Sequence, residues 1–160
     1  AITMAYNRKF KLNTKIIRIF NTYGSNMRVN DGRAIPNFIN QAINNEDFTV
    51  FGDGKQTRSF TYIDDTISGI YKLLMSNYSS PVNIGNPSEY SILELIKIIR
   101  TIIPSKSKII FKKLPENDPK VRKPNIMLAQ KLLRWQPKIE LREGLRKTIL
   151  YYKKLHNFKT

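Results

Sequence analysis

Cysteine is absent from the 160-residue sequence, and histidine occurs once, as His156. Without cysteine there is no disulfide framework, no thiolate nucleophile and no zinc–thiolate site. A single histidine also argues against a Ser-His-Asp triad and against a histidine-rich metal site. We therefore expect neither thiol chemistry nor a bound metal in this chain.

Acidic residues are scarce: 12 Asp and Glu stand against 28 Lys and Arg, which gives a net charge of +16. This excess fits either a lysine-rich surface or an anionic partner, such as nucleic acid or a phosphorylated small molecule. The basic residues are spread from Arg8 to Lys154 and form no run interleaved with stacking aromatics. Sequence-specific nucleic-acid binding is therefore not predicted.

Long apolar runs are missing too, so no segment is predicted to cross a bilayer. The opening residues match neither a secretory signal nor a transit peptide. Hydrophobic residues nevertheless make up 41% of the chain and aromatic residues 11%, which argues against disorder. The length suits one ordinary domain with a hydrophobic core.

Strand and helix patterns alternate along the chain, which predicts an α/β fold. Short β-branched or apolar runs predict strands at residues 15–20, 49–51, 57–62, 81–84 and 109–111. Apolar residues at helical spacing predict helices near residues 3–10, 35–43, 64–74, 91–103, 126–133 and 141–153. The chain starts partway through a helix with no strand before it, so we expect a piece of a longer protein.

Local signals refine three of these helices. Asp64 and Asp65 are predicted to cap the third helix, because aspartate accepts from free N–H groups at a helix start. Ser91 with Glu94 predicts a capping box at the fourth. Trp135 is predicted to be structural, as a plug packed against the last helix.

Residues 18–24, Arg-Ile-Phe-Asn-Thr-Tyr-Gly, form the first of three candidate functional clusters. A buried strand here delivers Asn21 and Thr22 to its carboxyl end, where α/β proteins place ligands. Asn21 can donate a hydrogen bond to a phosphate oxygen, and Thr22 can donate or accept. An ordinary transition from strand to loop explains the same pattern equally well.

The second cluster spans residues 49–65 and contains the turn Gly52-Asp53-Gly54. Phe51 and Gly52 could form a flat shelf for a base. Lys55 and Arg58 lie across this glycine turn. Arg58 has a planar guanidinium that can bind a pyrophosphate. A hairpin with two surface cations is the simpler alternative.

The third cluster spans residues 118–126, where prolines on both sides of Arg122 stiffen a charged loop. The alternative for this segment is an exposed basic loop that precedes a helix.

Together the clusters resemble the extended short-chain dehydrogenase/reductase family of nucleotide-sugar enzymes, and most closely its UDP-glucuronate decarboxylases. The resemblance covers about residues 6–152. It rests on the string at 18–24, Asp-Gly-Arg at 31–33, Gly-Asp-Gly-x-Gln-Thr-Arg-x-Phe at 52–60, Asn-x-Gly-Asn-Pro at 83–87 and Arg-Lys-Pro-x-Ile at 122–126. The Arg-Lys-Pro step favours decarboxylases over dehydratases and epimerases.

The resemblance implies roles for particular residues. Those implied to contact the NAD cofactor are Thr22, Arg28 and Arg33. Those implied to contact the UDP-sugar are Tyr6, Asn21, Arg33, Phe51, Gly52, Gln56, Arg58 and Arg122. Within this second group, Arg122 is implied to face the sugar carboxylate and to assist catalysis by helping to protonate the decarboxylated intermediate.

The resemblance also implies an architecture. Residues 1–34 would end an NAD-binding Rossmann domain, with its last parallel strands, and residues 35–160 would form the smaller substrate-binding region. The chain would return to the Rossmann sheet near residues 57–84. A homodimer of the complete enzyme and a cytoplasmic location are expected, or a Golgi location if an anchor lies upstream.

Three family features are absent or altered. The family's Tyr-Gly-Pro-Arg-Met continues here as Tyr-Gly-Ser-Asn-Met at residues 23–27. None of the seven glycines makes the Gly-x-x-Gly-x-x-Gly turn, and no tyrosine has a lysine four positions later. In the family, the tyrosine of that pair is the base when NAD removes hydride from the sugar C4, before carbon dioxide is lost and the hydride is returned.

The resemblance therefore implies the substrate-binding half of an enzyme that converts UDP-glucuronate to UDP-xylose, and the missing motifs predict that the isolated chain is inactive. A dTDP-glucose 4,6-dehydratase or UDP-sugar epimerase fragment is the alternative within the enzyme class. A non-catalytic nucleotide-sugar-binding module is the alternative outside it.

Overall fold

The computed structural model describes residues 2–28, 31–114 and 122–157. Its helices are α1 (Ile2–Phe10), α2 (Ala34–Ile43), α3 (Ile63–Leu74), α4 (Ile92–Ile102), α5 (Met127–Leu133) and α6 (Leu141–Asn157). Its strands are β1 (Ile17–Ile19), β2 (Thr22–Tyr23), β3 (Phe48–Phe51), β4 (Thr57–Ser59), β5 (Thr61–Tyr62), β6 (Val82–Ile84), β7 (Glu89–Ser91) and β8 (Ile109–Lys112). Within these ranges no helix is both long and apolar enough to span a membrane.

Within the described ranges, the strands form four pairs, three of them parallel. β1 pairs with β6, β2 with β5, and β3 with β8, all parallel, while β4 and β7 are antiparallel. Parallel partners cannot be joined by a tight turn, so the chain must cross over between them, and helices supply most of those crossovers. The alternation of strands and helices with parallel pairing confirms the predicted α/β fold.

Two clusters of buried side chains form the core of the part of the chain that the structure describes. The larger brings α2, α4 and α6 together over β2, β3 and β5, and includes Ile39, Phe48, Leu95, Leu145 and Tyr152. The smaller joins α3, α5 and β6 through Leu73, Ile84, Ala129, Leu133 and Trp135. The apolar stripes that predicted these helices are the faces they bury, which is the normal source of helix stability in a globular domain.

The single strand predicted at residues 57–62 is wrong, because the segment divides at Phe60. On one side β4 pairs antiparallel with β7, and on the other β5 pairs parallel with β2. Phe60 itself is buried at the change of partner. The alternating pattern of residues 57–62 correctly predicted extended backbone. Local alternation, however, does not specify which strand each residue pairs with.

Of the two predicted helix caps, the one on α4 is confirmed and the one on α3 is wrong. The Ser91 hydroxyl accepts from the Glu94 N–H at 3.1 Å, and the Glu94 carboxylate accepts from the Ser91 N–H at 2.7 Å, which confirms the capping box. α3 instead begins at Ile63, with no side-chain cap from its N-cap residue. Asp65 is buried, and its carboxylate accepts the N–H groups of two residues far along the chain.

Trp135 is buried as predicted, but against a different helix. Its indole N–H donates to the Asp65 carbonyl at 3.1 Å, so it packs on α3 rather than on α6. Gly69 permits this packing, because a Cβ there would lie 2.8 Å from Ile84 and 3.1 Å from the indole.

Candidate functional site

A pocket of about 160 Å³ opens where β1 runs into β2, beside the start of α2. It is lined by Asn21, Thr22, Tyr23, Met27, Arg33, Ala34, Ile35, Pro36, Arg58 and Phe60. Four of the predicted site residues are among them: Asn21, Thr22, Arg33 and Arg58. They come from separate parts of the sequence, so the fold brings them together.

Asn21 is held by main-chain bonds on both sides. The Phe20 N–H donates to the Ile84 carbonyl at 3.0 Å, and the Thr61 N–H donates to the Asn21 carbonyl at 3.1 Å. Within the described residues its side-chain amide has no protein partner. The amide is therefore positioned by the two neighbouring strands and remains available to donate to a ligand.

Thr22 sits between the pocket and α3. Its hydroxyl lies 2.9 Å from the Thr66 hydroxyl and 3.3 Å from the Phe20 carbonyl. A hydroxyl has one proton and two lone pairs, so Thr22 has capacity for one more bond. Its main bonding role is to join the strand end to α3.

Arg33 precedes α2 and forms an ion pair with Asp31. The second nitrogen of the guanidinium donates to the other carboxylate oxygen at 2.8 Å, so the pair is bidentate. Hydrogen bonding from Arg33 lowers the pKa of Asp31, which keeps that carboxylate ionised. The guanidinium is thus oriented at the pocket rim by a neighbour two residues away.

Arg58 enters the pocket from β4, where it lies opposite Tyr90 of β7. One guanidinium nitrogen donates to the Thr57 carbonyl at 2.7 Å, and the side chain is partly buried. Two arginines, Arg33 and Arg58, therefore line one small pocket together with Asn21. Planar donor forks of this kind suit phosphate oxygens.

Phe51, Gly52 and Gln56 form a second group, at the end of β3. The Gln56 side-chain amide donates to the Phe51 carbonyl at 2.6 Å, which closes the turn. Gly52 has φ of +71°, a conformation that glycine adopts without strain. The Phe51 ring is 45% exposed, an open aromatic face beside this turn.

Three predicted site residues lie outside both groups. Tyr6 is on α1, is 52% exposed and packs against Phe10 with ring centroids 5.2 Å apart. Arg28 is exposed, with its carbonyl accepting the Asp31 N–H. Arg122 is exposed too, and its carbonyl accepts from the Ser59 hydroxyl at 3.2 Å, which ties it beside β4. Residues 118–121 of the predicted basic loop are outside the described residues.

The apolar wall of the pocket was not predicted from the sequence. Tyr23 and Phe60 line it, and their rings meet edge to face at 6.5 Å. The Tyr23 hydroxyl donates to the Leu141 carbonyl at 3.2 Å, and burial raises the pKa of Tyr23. Both residues belong to the family strings at 18–24 and 52–60. Their proximity in sequence to Asn21 and Arg58 is the one signal that could have identified them as pocket residues.

No metal-binding group is found in the part of the chain that the structure describes. There, no three side chains of His, Cys, Asp or Glu lie close enough to hold an ion. The side chains around this partly apolar pocket provide hydrogen-bond donors and cations, a combination that suits an organic phosphate.

Comparison with known proteins gives consistent matches. The sequence model of the NAD dependent epimerase/dehydratase family matches residues 1–85. UDP-glucuronic acid decarboxylase 1 of Danio rerio is 47% identical over 148 residues, and UDP-glucuronic acid decarboxylase 4 of Arabidopsis thaliana is 46% identical over 144. These alignments cover 92% and 90% of this chain but 35% and 32% of those proteins. The chain therefore spans about a third of the length of such relatives.

Solved structures agree on the fold. UDP-glucuronic acid 4-epimerase from Bacillus cereus, in complex with UDP-glucuronic acid and NAD, superposes with a TM-score of 0.88 at 32% identity. The match covers 96% of this chain and 49% of the epimerase. UDP-glucose 4-epimerase from Thermotoga maritima gives a TM-score of 0.91 at 23% identity, with 96% and 50% coverage, and supports the fold alone.

Proposed function

The chain belongs to the NAD dependent epimerase/dehydratase family, and from this premise we propose that it is the UDP-sugar-binding half of a UDP-glucuronate decarboxylase. The observation that carries the proposal is the convergence of Asn21, Arg33 and Arg58 in one pocket. Relatives named as UDP-glucuronic acid decarboxylases, 42–47% identical over about nine tenths of this chain, supply the substrate class.

The diphosphate of the substrate is assigned to the pocket. Arg58 and Arg33 provide planar, permanently charged donors, and Asn21 adds a neutral one. Asp31 balances part of the charge of Arg33, so Arg58 contributes the larger share of the attraction. Charge-assisted hydrogen bonds in a partly buried pocket are stronger than the same bonds in open water.

The uracil is assigned to the second group. The exposed Phe51 ring offers a face for stacking, and the turn at Gly52 lets backbone approach the base closely. Gln56 stabilises this turn through its bond to the Phe51 carbonyl. Gln56 therefore acts on the base by shaping the turn that borders it.

Arg122 and Tyr6 are assigned to the sugar. Support for Arg122 comes from its carbonyl, which accepts a hydrogen bond from the hydroxyl of Ser59, the residue after Arg58 on β4. A guanidinium there would pair with the sugar carboxylate and could deliver a proton only through a neighbouring acid, because arginine stays charged. Tyr6 is exposed on α1 and is therefore accessible to a ligand.

Only the edge of an NAD site is assigned to this chain. Thr22, Arg28 and Arg33 fit such an edge, since Thr22 keeps bonding capacity and the arginines provide cations. When bound, NAD supplies a hydride acceptor and donor for the sugar C4. The residues of this chain bind and orient the substrate, and the base of the reaction is not among them.

Exposed apolar surface supports a second unit that covers this one. Among the described residues, α1 buries none of its side chains and β1 pairs on one edge only. Apolar residues exposed on the outer side of α3 and just after it are Ile67, Ile70, Tyr71, Leu74 and Met75. Parallel sheets are normally covered on both faces, and large exposed apolar patches mark interfaces.

We also propose a domain division in which residues 1–34 complete a dinucleotide-binding domain and residues 35–160 form the substrate-binding region. β1 pairs with β6 and β2 with β5, which supports a chain return near residues 57–84. A homodimer of the complete protein and a cytoplasmic location are further parts of the proposal. Sedimentation and cell fractionation of the complete protein test them.

Calorimetric titration of the chain with UDP tests the binding proposal. We expect saturable binding that weakens about tenfold or more in Arg58→Gln, because a charged hydrogen bond contributes roughly 1.5–3 kcal/mol. Arg142→Gln, which removes an exposed arginine on α6, is the matched control and should leave affinity unchanged. No binding of millimolar UDP to the wild-type chain would contradict the proposal.

Activity assays distinguish half of a decarboxylase from the alternatives, an epimerase or a binding module. The chain alone, incubated with UDP-glucuronate and NAD, should form no UDP-xylose, and formation at a normal rate would contradict the assignment as a half. The 32% identity to a UDP-glucuronic acid 4-epimerase favours a C4 epimerase as the second candidate. In the complete protein, release of carbon dioxide supports the decarboxylase, the C4 epimer supports the epimerase, and no product supports a binding module.

A further inference from the structure

The loop that carries Met27 and Arg33 to the pocket is hydrogen-bonded to the last helix, within the described residues, by one buried hydroxyl. Tyr152, on α6, is fully buried, and its hydroxyl donates to the Met27 carbonyl at 3.1 Å. Met27 lines the pocket. A residue 125 positions away in sequence therefore reaches the backbone of the pocket loop.

We propose that Tyr152 is a positioning residue for the nucleotide pocket, acting through Met27 and Arg33; this inference rests on the proposed function. Among the described residues, the loop also contacts the core through the half-buried side chain of Met27, which packs against the main core cluster. The Asp31 N–H donates to the Arg28 carbonyl at 3.1 Å, and Arg33 is paired with Asp31, but both bonds are internal to the loop. The bond from Tyr152 links it to the core.

Local backbone geometry gives such an anchor a role at one position. Asn26 has φ of +67° and Gly32 has φ of +85°, so the loop contains two left-handed residues. Glycine adopts this conformation without strain, and asparagine tolerates it better than most residues, so only Asn26 needs some support from its surroundings. An anchor at Met27, next to Asn26, selects this conformation over extended ones.

The hydroxyl is suited to this task at any working pH. Burial, reinforced by the charge of Asp31, raises the pKa of Tyr152 to about 12, so the hydroxyl keeps its proton. The ring belongs to the main core cluster, and α6 contacts α2, the helix that Arg33 precedes. Ring packing and the hydroxyl bond can thus be separated by a conservative substitution.

Tyr152→Phe keeps the ring and removes the bond. We expect the dissociation constant of UDP to rise about three- to tenfold, since affinity falls with the fraction of molecules whose loop is correctly placed. Thr148→Val is the matched control: it removes another buried hydroxyl bond on α6, from Thr148 to the Gly144 carbonyl at 2.8 Å, which does not reach the loop. Its UDP affinity should be that of the wild-type chain.

Two further measurements distinguish positioning from general stability. Amide hydrogen exchange at residues 24–28 and 31–33 should accelerate in Tyr152→Phe and not in Thr148→Val. In an Arg33→Ala background, Tyr152→Phe should weaken UDP binding less than twofold, because the main charged group that the loop presents is gone.

Equal UDP affinity and equal loop exchange in the two α6 variants would overturn the inference and leave the proposed function intact. Failure of the wild-type chain to bind UDP would instead overturn the proposed function. In that case, faster loop exchange in Tyr152→Phe would still support the anchoring of the loop by Tyr152.

Discussion

Replacing Asp65 by alanine should destabilise the fold far more than its position in the first turn of a helix suggests. Its carboxylate accepts the N–H groups of Lys138 at 3.0 Å and of Ile139 at 2.9 Å, and its side chain is nearly buried. These bonds join the start of α3 to the segment before α6. Alanine would leave two backbone donors without that acceptor.

The magnitude follows from the burial of those two donors. Leaving a buried donor unsatisfied costs about 1–3 kcal/mol, and both donors here are only partly buried, so the low end applies to each. We therefore expect a loss of about 2–3 kcal/mol in the free energy of unfolding, or roughly 6–9 °C in Tm for a chain of this size.

Urea denaturation followed by circular dichroism measures this loss. Asp64→Ala is the matched control, because Asp64 is in the same helical turn but is exposed, and it should change stability by less than about 0.5 kcal/mol. Equal effects of the two alanine substitutions would refute the structural role assigned to Asp65.

Two further predictions concern packing and pH. Gly69→Ala should lower the free energy of unfolding by about 1–3 kcal/mol, because the new Cβ would lie 2.8 Å from Ile84. Ser68→Ala is the control and should be nearly neutral. Equal stability of the two variants in urea denaturation would contradict the packing described. The pKa of Asp31 is lowered in the folded chain, so its ion pair with Arg33 stabilises the loop fully at pH values above the ordinary aspartate pKa. This stabilisation is lost as the pH falls through the lowered pKa. Carboxyl titration by NMR should show the Asp31 pKa rising in Arg33→Gln, and an unchanged value would refute the pairing.

The regular parts of the fold could be predicted from sequence because they depend on local pattern. The stripe of apolar residues on α4 and its Ser91–Glu94 capping box are both encoded within a dozen residues. Strand pairing depends instead on distant partners. The change at Phe60 from β7 to β2 could not be predicted from an alternating run that looks continuous.

The same difference separates the predicted and unpredicted parts of the site. Asn21 and Arg58 stand in distinctive strings, and the structure brings them to one pocket. Asp65 was predicted to be a helix cap because aspartate near a helix start usually is. Its actual partners, Lys138 and Ile139, lie more than seventy residues away and leave no local signal. Tyr152 was missed for the same reason, since its bond to Met27 spans most of the chain.

Mapping of UDP onto the chain by NMR tests the central claim most directly. Titration of isotope-labelled chain with UDP should shift the resonances of Asn21, Arg33 and Arg58, together with those at the Phe51–Gly52 turn. Resonances around Trp135, in the other core cluster, should stay unchanged. Saturable shifts confined to the first set are the predicted result; shifts spread evenly over exposed lysines, or none at millimolar UDP, would contradict the account.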